Sequence, residues 1–471
     1  MSTSAVPFAT GATKTATNYN FLSSWDAIQL DKDPKLIERF GTGRLTSLLE
    51  FFNYKKPAST LKYSHFEKDR VMPKIKATNG GAGSAGASVT FTLAADSDYA
   101  YDSNNSPYAG SASAQTTVPV RVGDLIMIKP ASGTVSFTTI VQALVTAVLG
   151  TTFTAYPLDS TDSIPSVSSA DEIVIFGNAH AEGSNRPAPL TTKATEFTNQ
   201  LHIFKDTAGA TEIGAAMKTW FEVNGQFRWY LPQEKDALNR ILNYRELTLL
   251  TSNGLSNSNI SNLYNTAGNG ISMAKGIVSE IIERGNTLSY SGLTGLTIAD
   301  LEDLIITMDK QKAAKNNLLG CGIALSVQLD GELRDQFKNG AVTYGMFSGD
   351  AAKNVNLGFQ SFTIGNYTFN KKVLDAMNEA QTLGASGFNY AYEAIILPSD
   401  MTSEPETGEK VPSIRMRYLQ QPGGKSEEMV TTYYDGRTYS ENGTATEEVR
   451  YSSICGIEVM GANRTVYIKK S

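Results

Sequence analysis

His180 and Glu182 stand two residues apart in the stretch VIFGNAHAEGSNRPAP (174–189), directly after an apolar run. An imidazole beside a carboxylate could act as a general acid and base, or supply two ligands of a metal site. The same His-x-Glu spacing occurs in zinc deaminases, but their Pro-Cys-x-x-Cys partner motif is missing from this sequence. We therefore expect His180 and Glu182 to make local hydrogen bonds at the exit of a strand.

Other signals of chemistry are weak. The sequence contains no GxGxxG or Walker frame and no GxSxG elbow. His65 and His202 alternate with apolar neighbours, which predicts half-buried strand positions, while Cys321 and Cys455 stand alone without metal-type spacing. The oxygen-rich segment 96–105 lacks the fixed spacing of a calcium loop. We predict no catalytic residue, no cofactor and no metal site, and hence a protein that is not an enzyme.

Composition limits the possible partners. The 471 residues carry 41 basic and 47 acidic side chains, a formal net charge of −6. This length predicts two or three packed units, and the charge argues against tight binding of nucleic acid while permitting weak, non-specific contact with DNA. The N-terminus lacks the order of a signal peptide, and no apolar run reaches the length of a membrane span. We expect a reduced protein made in the cytoplasm, without a membrane partner.

The first 65 residues predict an arm rather than a core. Leu45, Leu48, Leu49 and Phe52 recur at helical spacing, which predicts a short amphipathic helix closed by Pro57. Because such a segment buries little against itself, it needs a surface of the same subunit or of a neighbour.

A β-rich module follows. Residues 80–115 are small and polar around one alternating segment, SVTFTL, and predict a long loop containing one strand. Four β-rich runs then succeed one another between 118 and 177, which predicts a small β-barrel or sandwich. The apolar run 140–150 lies within it and predicts a pair of core strands.

The remainder predicts an α+β fold. Residues 224–252 carry the longest helical pattern, and Pro232 should bend this helix or mark its start. Further helices follow, one of them opened by a capping pair of Thr297 and Asp300 and another closed by Gly285. Strands dominate after these helices, which is typical of an α+β domain.

Short motifs give this order of elements a family resemblance. The chain contains Glu-Gly-Ser at 182–184, Asn199 and Gln200 followed by the pair Ile203 and Phe204, and the ending Gly-Ala-Asn-Arg at 461–464. These stretches resemble the major capsid proteins of tailed bacteriophages of the Hong Kong 97 type, and the overall texture is most similar to that of crAss-like phages. The sequence departs from the tight family pattern because Leu201 and His202 separate Gln200 from the Ile-Phe pair.

The resemblance implies a Hong Kong 97-like fold with an inserted β-barrel. It assigns residues 1–65 to an N-terminal arm and 66–210 to an extended-loop region that contains the module at about 118–177. It assigns 211–265 to a peripheral domain with a long spine helix, 266–440 to an axial domain with interleaved peripheral-domain strands, and 441–471 to C-terminal strands.

The function implied by the resemblance is self-assembly into an icosahedral shell around packaged double-stranded DNA. Expected partners are copies of the chain in pentamers and hexamers, auxiliary or decoration proteins, a portal and a separate scaffold, because no cleaved scaffold segment is expected here. We expect the protein in the virion, after synthesis and assembly in the host bacterial cytoplasm. The candidates for subunit contacts are Trp25, Phe51, Phe52, Glu182, Arg186, Phe204, Trp220 and Trp229.

Two alternatives stay open. Another virion structural protein, such as a tail, collar or fibre component, would favour repeats and mostly β sequence. A hydrolase with a β accessory module would need convergent polar residues that the sequence does not display.

Overall fold

The computed structural model describes residues 54–68, 74–93, 120–129, 136–137, 139–168, 171–187, 194–211, 230–257, 270–291, 295–339, 360–380, 382–385, 387–403, 410–435 and 446–471. The contacts within the chain divide these residues into two compact units. The described residues within Lys205–Leu242 and Thr431–Tyr451 belong to the smaller unit, and the other described residues belong to the larger one.

A six-stranded sheet organises the core of the larger unit. Its strand order is β11-β21-β15-β12-β14-β13. These strands are β11 (Asn286–Tyr290), β12 (Asn316–Cys321), β13 (Ser361–Ile364), β14 (Tyr367–Val373), β15 (Ala394–Pro398) and β21 (Val466–Lys470). The pairs β11 with β21 and β12 with β14 are parallel, and the other neighbours are antiparallel.

Alternation along these strands builds two hydrophobic clusters. Leu318 and Ile395 belong to one cluster, whereas the next residues, Leu319 and Ile396, belong to the other. Successive strand side chains point to opposite faces, so the sheet separates the two clusters. Helices α2 (Ile277–Arg284) and α5 (Asp375–Asn378) contribute to the first cluster, and α3 (Ile298–Lys310) and α4 (Ile323–Asn339) to the second.

Local sequence signals set the helix ends. Helix α1 (Tyr230–Thr251) has Pro232 in its first turn, where a missing backbone N–H costs no helical hydrogen bond, so this proline marks the start. Thr297 and Asp300 form the predicted capping box of α3, and Gly285 follows the last residue of α2. Among the described residues, the other short helices are 3-10 turns at Tyr390–Tyr392 and Ala462–Arg464.

The predicted β-module is a closed barrel, but it begins upstream of residue 118. Strands β5 (Asp124–Ile128), β6 (Val141–Leu149), β7 (Thr152–Pro157) and β8 (Glu172–Asn178) match the four predicted runs. The circle is β3-β4-β7-β6-β5-β8, so β3 (Lys74–Asn79) and β4 (Val89–Leu93) complete it. The segment SVTFTL is therefore a barrel strand rather than part of a loop, and the apolar run 140–150 supplies one strand, not two.

The barrel has its own hydrophobic core. Inward side chains such as Ile75, Phe91, Ile126 and Phe153 form a cluster distinct from those of the sheet. The Phe91 and Phe153 rings stack with centroids 4.9 Å apart, which explains why β4 is needed to close the barrel.

A two-stranded ribbon brackets the barrel in the chain. Strand β2 (Lys62–Lys68) precedes it, β9 (Ala194–Gln200) follows it, and the two pair antiparallel over seven residue pairs. The ribbon strands pair only with each other among the described strands, so the ribbon depends on side-chain contacts for its position.

A five-stranded sheet includes the longest strand of the described chain. Its order is β1-β18-β20-β10, with β19 also paired to β20. The strands are β1 (Lys55–Ala58), β10 (His202–Thr211), β18 (Ile414–Leu419), β19 (Val430–Asp435) and β20 (Thr446–Val459); a further small pair is β16 (Thr402–Ser403) with β17 (Lys410–Val411). Pro57 lies within β1, parallel to β18, and the predicted helix ahead of it lies outside the described residues.

In the smaller unit, Arg240 on α1 donates to Asp206 on β10 through Nε at 2.6 Å and Nη2 at 2.9 Å. Glu234 on α1 accepts from the hydroxyl groups of Tyr433 and Tyr451, each at 3.4 Å. None of the described helices combines the length and apolar character needed to cross a membrane.

Replacing Phe91 by Ala should destabilise the barrel by about 3–5 kcal/mol, because the change removes a buried ring and leaves a cavity. Hydrogen exchange should accelerate in β3 to β8 while the six-stranded sheet stays protected, since the clusters are separate. Thr92→Ala, on the outward face of the same strand, is the control. Equal loss of protection in both regions would contradict an independent barrel core.

Candidate functional site

Charged side chains converge where the ribbon meets α2 and β20. Four of them, His65, Glu280, Arg284 and Glu458, line a cavity of about 220 Å³ together with Tyr63 of β2, Phe197 and Asn199 of β9, and Ile457 of β20. All of these residues belong to the larger unit. We call this cluster the ribbon root, and its charged members are His65, Glu67, Glu280, Arg284, Arg415, Arg417 and Glu458.

Glu458 is the most buried charge of the ribbon root, with 1% of its side chain exposed. It accepts hydrogen bonds from Arg415 Nε at 2.5 Å, from Arg417 Nε at 2.6 Å and from Arg417 Nη2 at 3.1 Å. Residues Arg415 and Arg417 alternate on β18, and Glu458 pairs with Arg415 across the ladder, so strand geometry brings all three together. Burial by itself would raise the pKa of Glu458, but hydrogen bonds from His65 and both arginines hold it well below its ordinary value.

His65 links the ribbon to this carboxylate. Its Nδ1 lies 3.5 Å from Glu458 Oε1, and its Nε2 lies 3.0 Å from Glu67 Oε1. Burial lowers the pKa of His65, yet hydrogen bonds to Glu458 and Glu67 outweigh that effect and raise it above its ordinary value. The imidazole is therefore held in its cationic form to a higher pH than a free histidine.

Arg284 of α2 fixes the other side of Glu67. Its Nη1 lies 3.4 Å from Glu67 Oε1, and its Nε donates to Glu280 one helical turn away at 2.8 Å. Its Nη2 donates to the carbonyl of Val459 at 2.8 Å. The backbone N–H of Gly461 donates to Glu67 at 2.8 Å. Although burial raises the pKa of Glu67, the hydrogen bond from His65, the charge of Arg284 and the Gly461 N–H together lower it.

Asn199 ties the second ribbon strand to its surroundings. Its amide group donates to the carbonyls of Lys275 at 3.1 Å and Ile457 at 3.0 Å, and its Oδ1 accepts from the Lys275 N–H at 2.9 Å. Across the ribbon, Tyr63 pairs with Asn199 in register and donates its hydroxyl to the same Ile457 carbonyl at 2.6 Å. Both strands of the ribbon are thus fastened to β20.

The ion pairs of the ribbon root hold strands in place. The carboxylates Glu67, Glu280 and Glu458 are each engaged by a guanidinium group, so they are satisfied partners rather than free bases. Over the described part of the chain, no group of three or more His, Cys, Asp or Glu side chains is arranged to hold a metal ion. The arrangement positions strands, because the pairs His65–Glu458, Glu67–Arg284 and Arg417–Glu458 join residues distant in sequence.

Comparison with known proteins gives partial structural similarity. No family model matches the chain, and no curated protein sequence matches it. The solved structures that match include phage capsid proteins and an encapsulin. The capsid protein of the native GTA particle is 8% identical, with a TM-score of 0.40 over 98% of this chain and 100% of that chain. The capsid protein of cyanophage P-SCSP1u is 9% identical, with a TM-score of 0.34 over 63% and 81%. The SrpI encapsulin of Synechococcus elongatus is 11% identical, with a TM-score of 0.34 over 59% and 77%.

His180 and Glu182 lie where the sequence analysis expects them, in an exposed turn just after β8. The His180 ring rests on Gly123, where a β-carbon would approach its Cε1 to 2.4 Å. Arg186 is also exposed in this segment. His65 and His202 are half-buried on strands, as predicted.

The other candidates have different placements. Phe204 is buried on β10, with 5% exposed, and its ring lies 4.2 Å from that of His202. This ring therefore packs within the chain. Cys321 and Cys455 are both buried free thiols. The candidates Trp25, Phe51, Phe52, Trp220 and Trp229, and the oxygen-rich segment 96–105, lie outside the described residues.

The ribbon root is the functional feature that sequence reasoning missed. Its carboxylate–arginine contacts join β2, α2, β18 and β20, and the Gly461-to-Glu67 hydrogen bond spans 394 positions. One available signal is the alternation of Arg415 and Arg417 with apolar residues in SIRMRYLQQ, which places two arginines on one face of a strand. Two like charges on one strand face call for a buried acidic partner, here Glu458.

Replacing Glu458 by Gln should lower the free energy of unfolding by about 3–5 kcal/mol, because Arg415 and Arg417 lose their shared buried carboxylate. Chemical denaturation measures this change. Glu283→Gln is the matched control, since Glu283 pairs with Lys275 at an exposed position and should cost only about 0–1 kcal/mol. Equal effects of the two substitutions would show that the buried ion pairs of Glu458 stabilise the fold no more than an exposed pair does.

The stabilisation that protonated His65 gives the ribbon root should weaken as pH rises. A raised pKa means that the stabilisation by protonated His65 is complete below about 6.5, the value of the unfolded chain, and is lost as pH rises through the folded pKa. Denaturation midpoints measured between mildly acidic and alkaline pH should fall over that window in the unmodified protein more than in His65→Gln.

His202 should show the opposite pH dependence, and the variant His202→Gln tests it. Burial lowers the pKa of His202, so its contribution is present above about 6.5 and is lost as pH falls through the folded pKa. Removing His202 should therefore flatten the acidic side of the profile and leave the loss at higher pH intact. A profile that His65→Gln leaves unchanged would contradict the role given to His65.

Proposed function

We propose that this chain is a major capsid protein of a tailed phage, of the Hong Kong 97 type, whose copies assemble into an icosahedral shell around packaged double-stranded DNA. The observation that carries the proposal is the ribbon of β2 and β9. Only these two strands form it, it brackets a barrel with a core of its own, and the ribbon root locks its base. Such an arm suits a subunit that reaches onto a neighbour.

The ribbon exposes apolar side chains that a neighbouring subunit could cover. Phe66 on β2 is 69% exposed, and Leu61 just before the strand is also exposed. A two-stranded ribbon is marginally stable in water, because much of its apolar surface stays hydrated. Covering Phe66 with a second subunit would remove that cost, so assembly and ordering of the ribbon would favour each other.

The ribbon root supports the same proposal. Removing one partner of a buried ion pair is strongly destabilising, so the pairs of the ribbon root would keep the ribbon strands in place on β20. Residues that carry the sequence resemblance are present at this place: Asn199 bonds Lys275 and Ile457, and Gly461 bonds Glu67. The motif positions thus have a physical role in orienting the ribbon.

The finer features of the proposal follow the family pattern. Residues 1–65 would form the N-terminal arm, α1 would be the spine helix of the peripheral domain, and residues 266–440 the axial domain. Subunits would form pentamers and hexamers, with auxiliary proteins, a portal and a separate scaffold, in virions assembled in the bacterial cytoplasm. A net charge of −6 suits weak contact with the genome. The texture points to crAss-like phages.

Specific side chains would make the subunit contacts. Glu182 and Arg186 carry opposite charges in one exposed segment at the exit of the barrel, which suits complementary contacts between subunits. We propose the aromatic residues at 25, 51, 52, 220 and 229 as further anchors, because large aromatic side chains dominate the energetics of interfaces.

Substituting Phe66 by Glu should abolish assembly and leave the subunit folded, because the side chain is exposed in the subunit and would be buried in the shell. Sedimentation velocity of the purified protein measures the assembled fraction, and circular dichroism checks the fold. Arg186→Glu should reduce the assembled fraction in the same assay. Phe66→Leu, which keeps an apolar side chain, is the matched control. Normal particles from Phe66→Glu would contradict the role of the ribbon.

A further inference from the structure

The inner face of the ribbon lies directly on β20. Side chains alternate along β2, so His65 faces inward while the next residue, Phe66, is exposed. A β-carbon at Gly456 of β20 would lie 2.8 Å from the hydroxyl oxygen of Tyr63 and 2.8 Å from the carbonyl oxygen of Gln200. The two strands of the ribbon therefore approach β20 closely, and we call the ribbon in this position seated.

Both ring nitrogens of His65 face a carboxylate in the seated ribbon. Nε2 lies 3.0 Å from Glu67 Oε1 on the same strand, and Nδ1 lies 3.5 Å from Glu458 Oε1 on β20. Imidazolium carries an N–H on each nitrogen, whereas neutral imidazole carries only one. Both contacts are therefore attractive only when His65 is protonated. After loss of the proton, one ring nitrogen presents its lone pair to a carboxylate, and that contact becomes repulsive.

The cations near His65 are already paired with carboxylates. The charged residues of the elements packed around the imidazole, besides its two partners, are Glu196 on β9, Lys275, Glu280, Glu283 and Arg284 on and beside α2, and Arg415 and Arg417 on β18. Lys275 pairs with Glu283, Arg284 pairs with Glu280 and Glu67, and both arginines of β18 bind Glu458. From β9, the uncharged Phe197 ring also lies 5.8 Å from the imidazole. The direct link from β2 to Glu458 is thus made by His65 itself.

We propose that assembly of this chain is coupled to proton binding at His65. The protonated imidazole joins β2 to Glu458, and the ribbon seated in this way presents Phe66 to a neighbouring subunit. This regulation rests on the proposed shell function and adds a control to it.

The control is graded rather than complete. Tyr63 and Asn199 each donate to the Ile457 carbonyl through groups that do not titrate near neutral pH, so they hold the ribbon with or without the proton on His65. Deprotonation removes one contact of several. It therefore changes how completely the ribbon is seated, not whether the ribbon is attached.

Assembly and protonation act on the same strand. A neighbour that covers Phe66 binds the seated ribbon, and protonated His65 favours the seated ribbon, so each event favours the other. Although burial lowers the pKa of His65, its hydrogen bonds to Glu458 and Glu67 raise the pKa above the ordinary value of 6.5. The contribution of the proton is therefore complete below that value and is lost as pH rises through the pKa of the seated form.

The critical subunit concentration for assembly, measured by light scattering at fixed ionic strength, tests this coupling. Between about pH 6.5 and about pH 8.5 ordinary Asp, Glu and Lys side chains keep their charge, and the chain contains three histidines. In the unmodified protein the critical concentration should rise at least about fivefold over this range, because a charge-assisted hydrogen bond is lost.

Variants assign the effect to one residue. In His65→Gln the side chain stays neutral, so the critical concentration should be the same at both pH values and close to that of the unmodified protein at the higher pH. His202→Gln is the matched control. It should keep the full rise, because burial lowers the pKa of His202 and places its titration below this range.

NMR of ¹³C-labelled histidine in dissociated subunits covers the case in which His65→Gln misfolds. The spectrum of the unmodified protein should contain three histidine signals, and spectra of His180→Gln and His202→Gln identify the signal of His65. That signal should titrate with a midpoint above 6.5, the ordinary value. A midpoint at or below it would overturn the coupling.

The outcomes separate this inference from the proposed function. An unmodified protein that forms no particles at any pH contradicts the shell function itself. If particles form, a critical concentration that does not change with pH overturns the coupling and leaves the shell function standing. A rise that persists unchanged in His65→Gln also overturns it, because the proton would then act at another group.

Discussion

The carboxylate of Glu458 is held between Arg415, Arg417 and His65, with 1% of its side chain exposed. A charge this buried is tolerated only while its partners stay in place, since an unpaired ion in the interior costs several kcal/mol. Three strands that are distant in sequence are thereby fixed together: β2 through His65, β18 through its two arginines, and β20 through Glu458 itself. The position of the ribbon depends on this group together with the hydrogen bonds of Asn199 and Tyr63 to the Ile457 carbonyl.

The six-stranded sheet, the ribbon and the barrel follow one another around Glu458. The six-stranded sheet buries a cluster on each face, and α2 carries Arg284 from one of those clusters to Glu67 on the ribbon. The ribbon strands then bracket a barrel whose core is its own. Because the barrel does not share a core with the sheet, its outer residues are free to serve contacts with other molecules. The proposed role of the ribbon as an arm depends on both features, the ion pairs at its base and the separate core of the barrel.

Sequence patterns predict the local helices and strands but not the contacts between residues distant in sequence. Alternation identified β5 to β8, and the Thr297–Asp300 pair identified the start of α3, because these signals act over a few residues. The sequence does not predict β3, because its alternation contains only two apolar residues, Ile75 and Ala77, and its pairing with β8 is set by closure of the barrel. The apolar neighbours of His65 predict its half-buried position on β2, which the structure confirms. Its partner Glu458 arrives from the far end of the chain, which no local pattern can anticipate.

We propose that the ribbon of β2 and β9 is an arm for assembly between copies of this chain. Electron cryo-microscopy of the purified protein, concentrated under assembly conditions, is the decisive measurement. We expect closed shells or rings in which a neighbouring subunit covers Phe66, with the ion pairs of Glu458 intact inside each subunit. A protein that remains a stable monomer at high concentration, or shells in which Phe66 faces solvent, would contradict it.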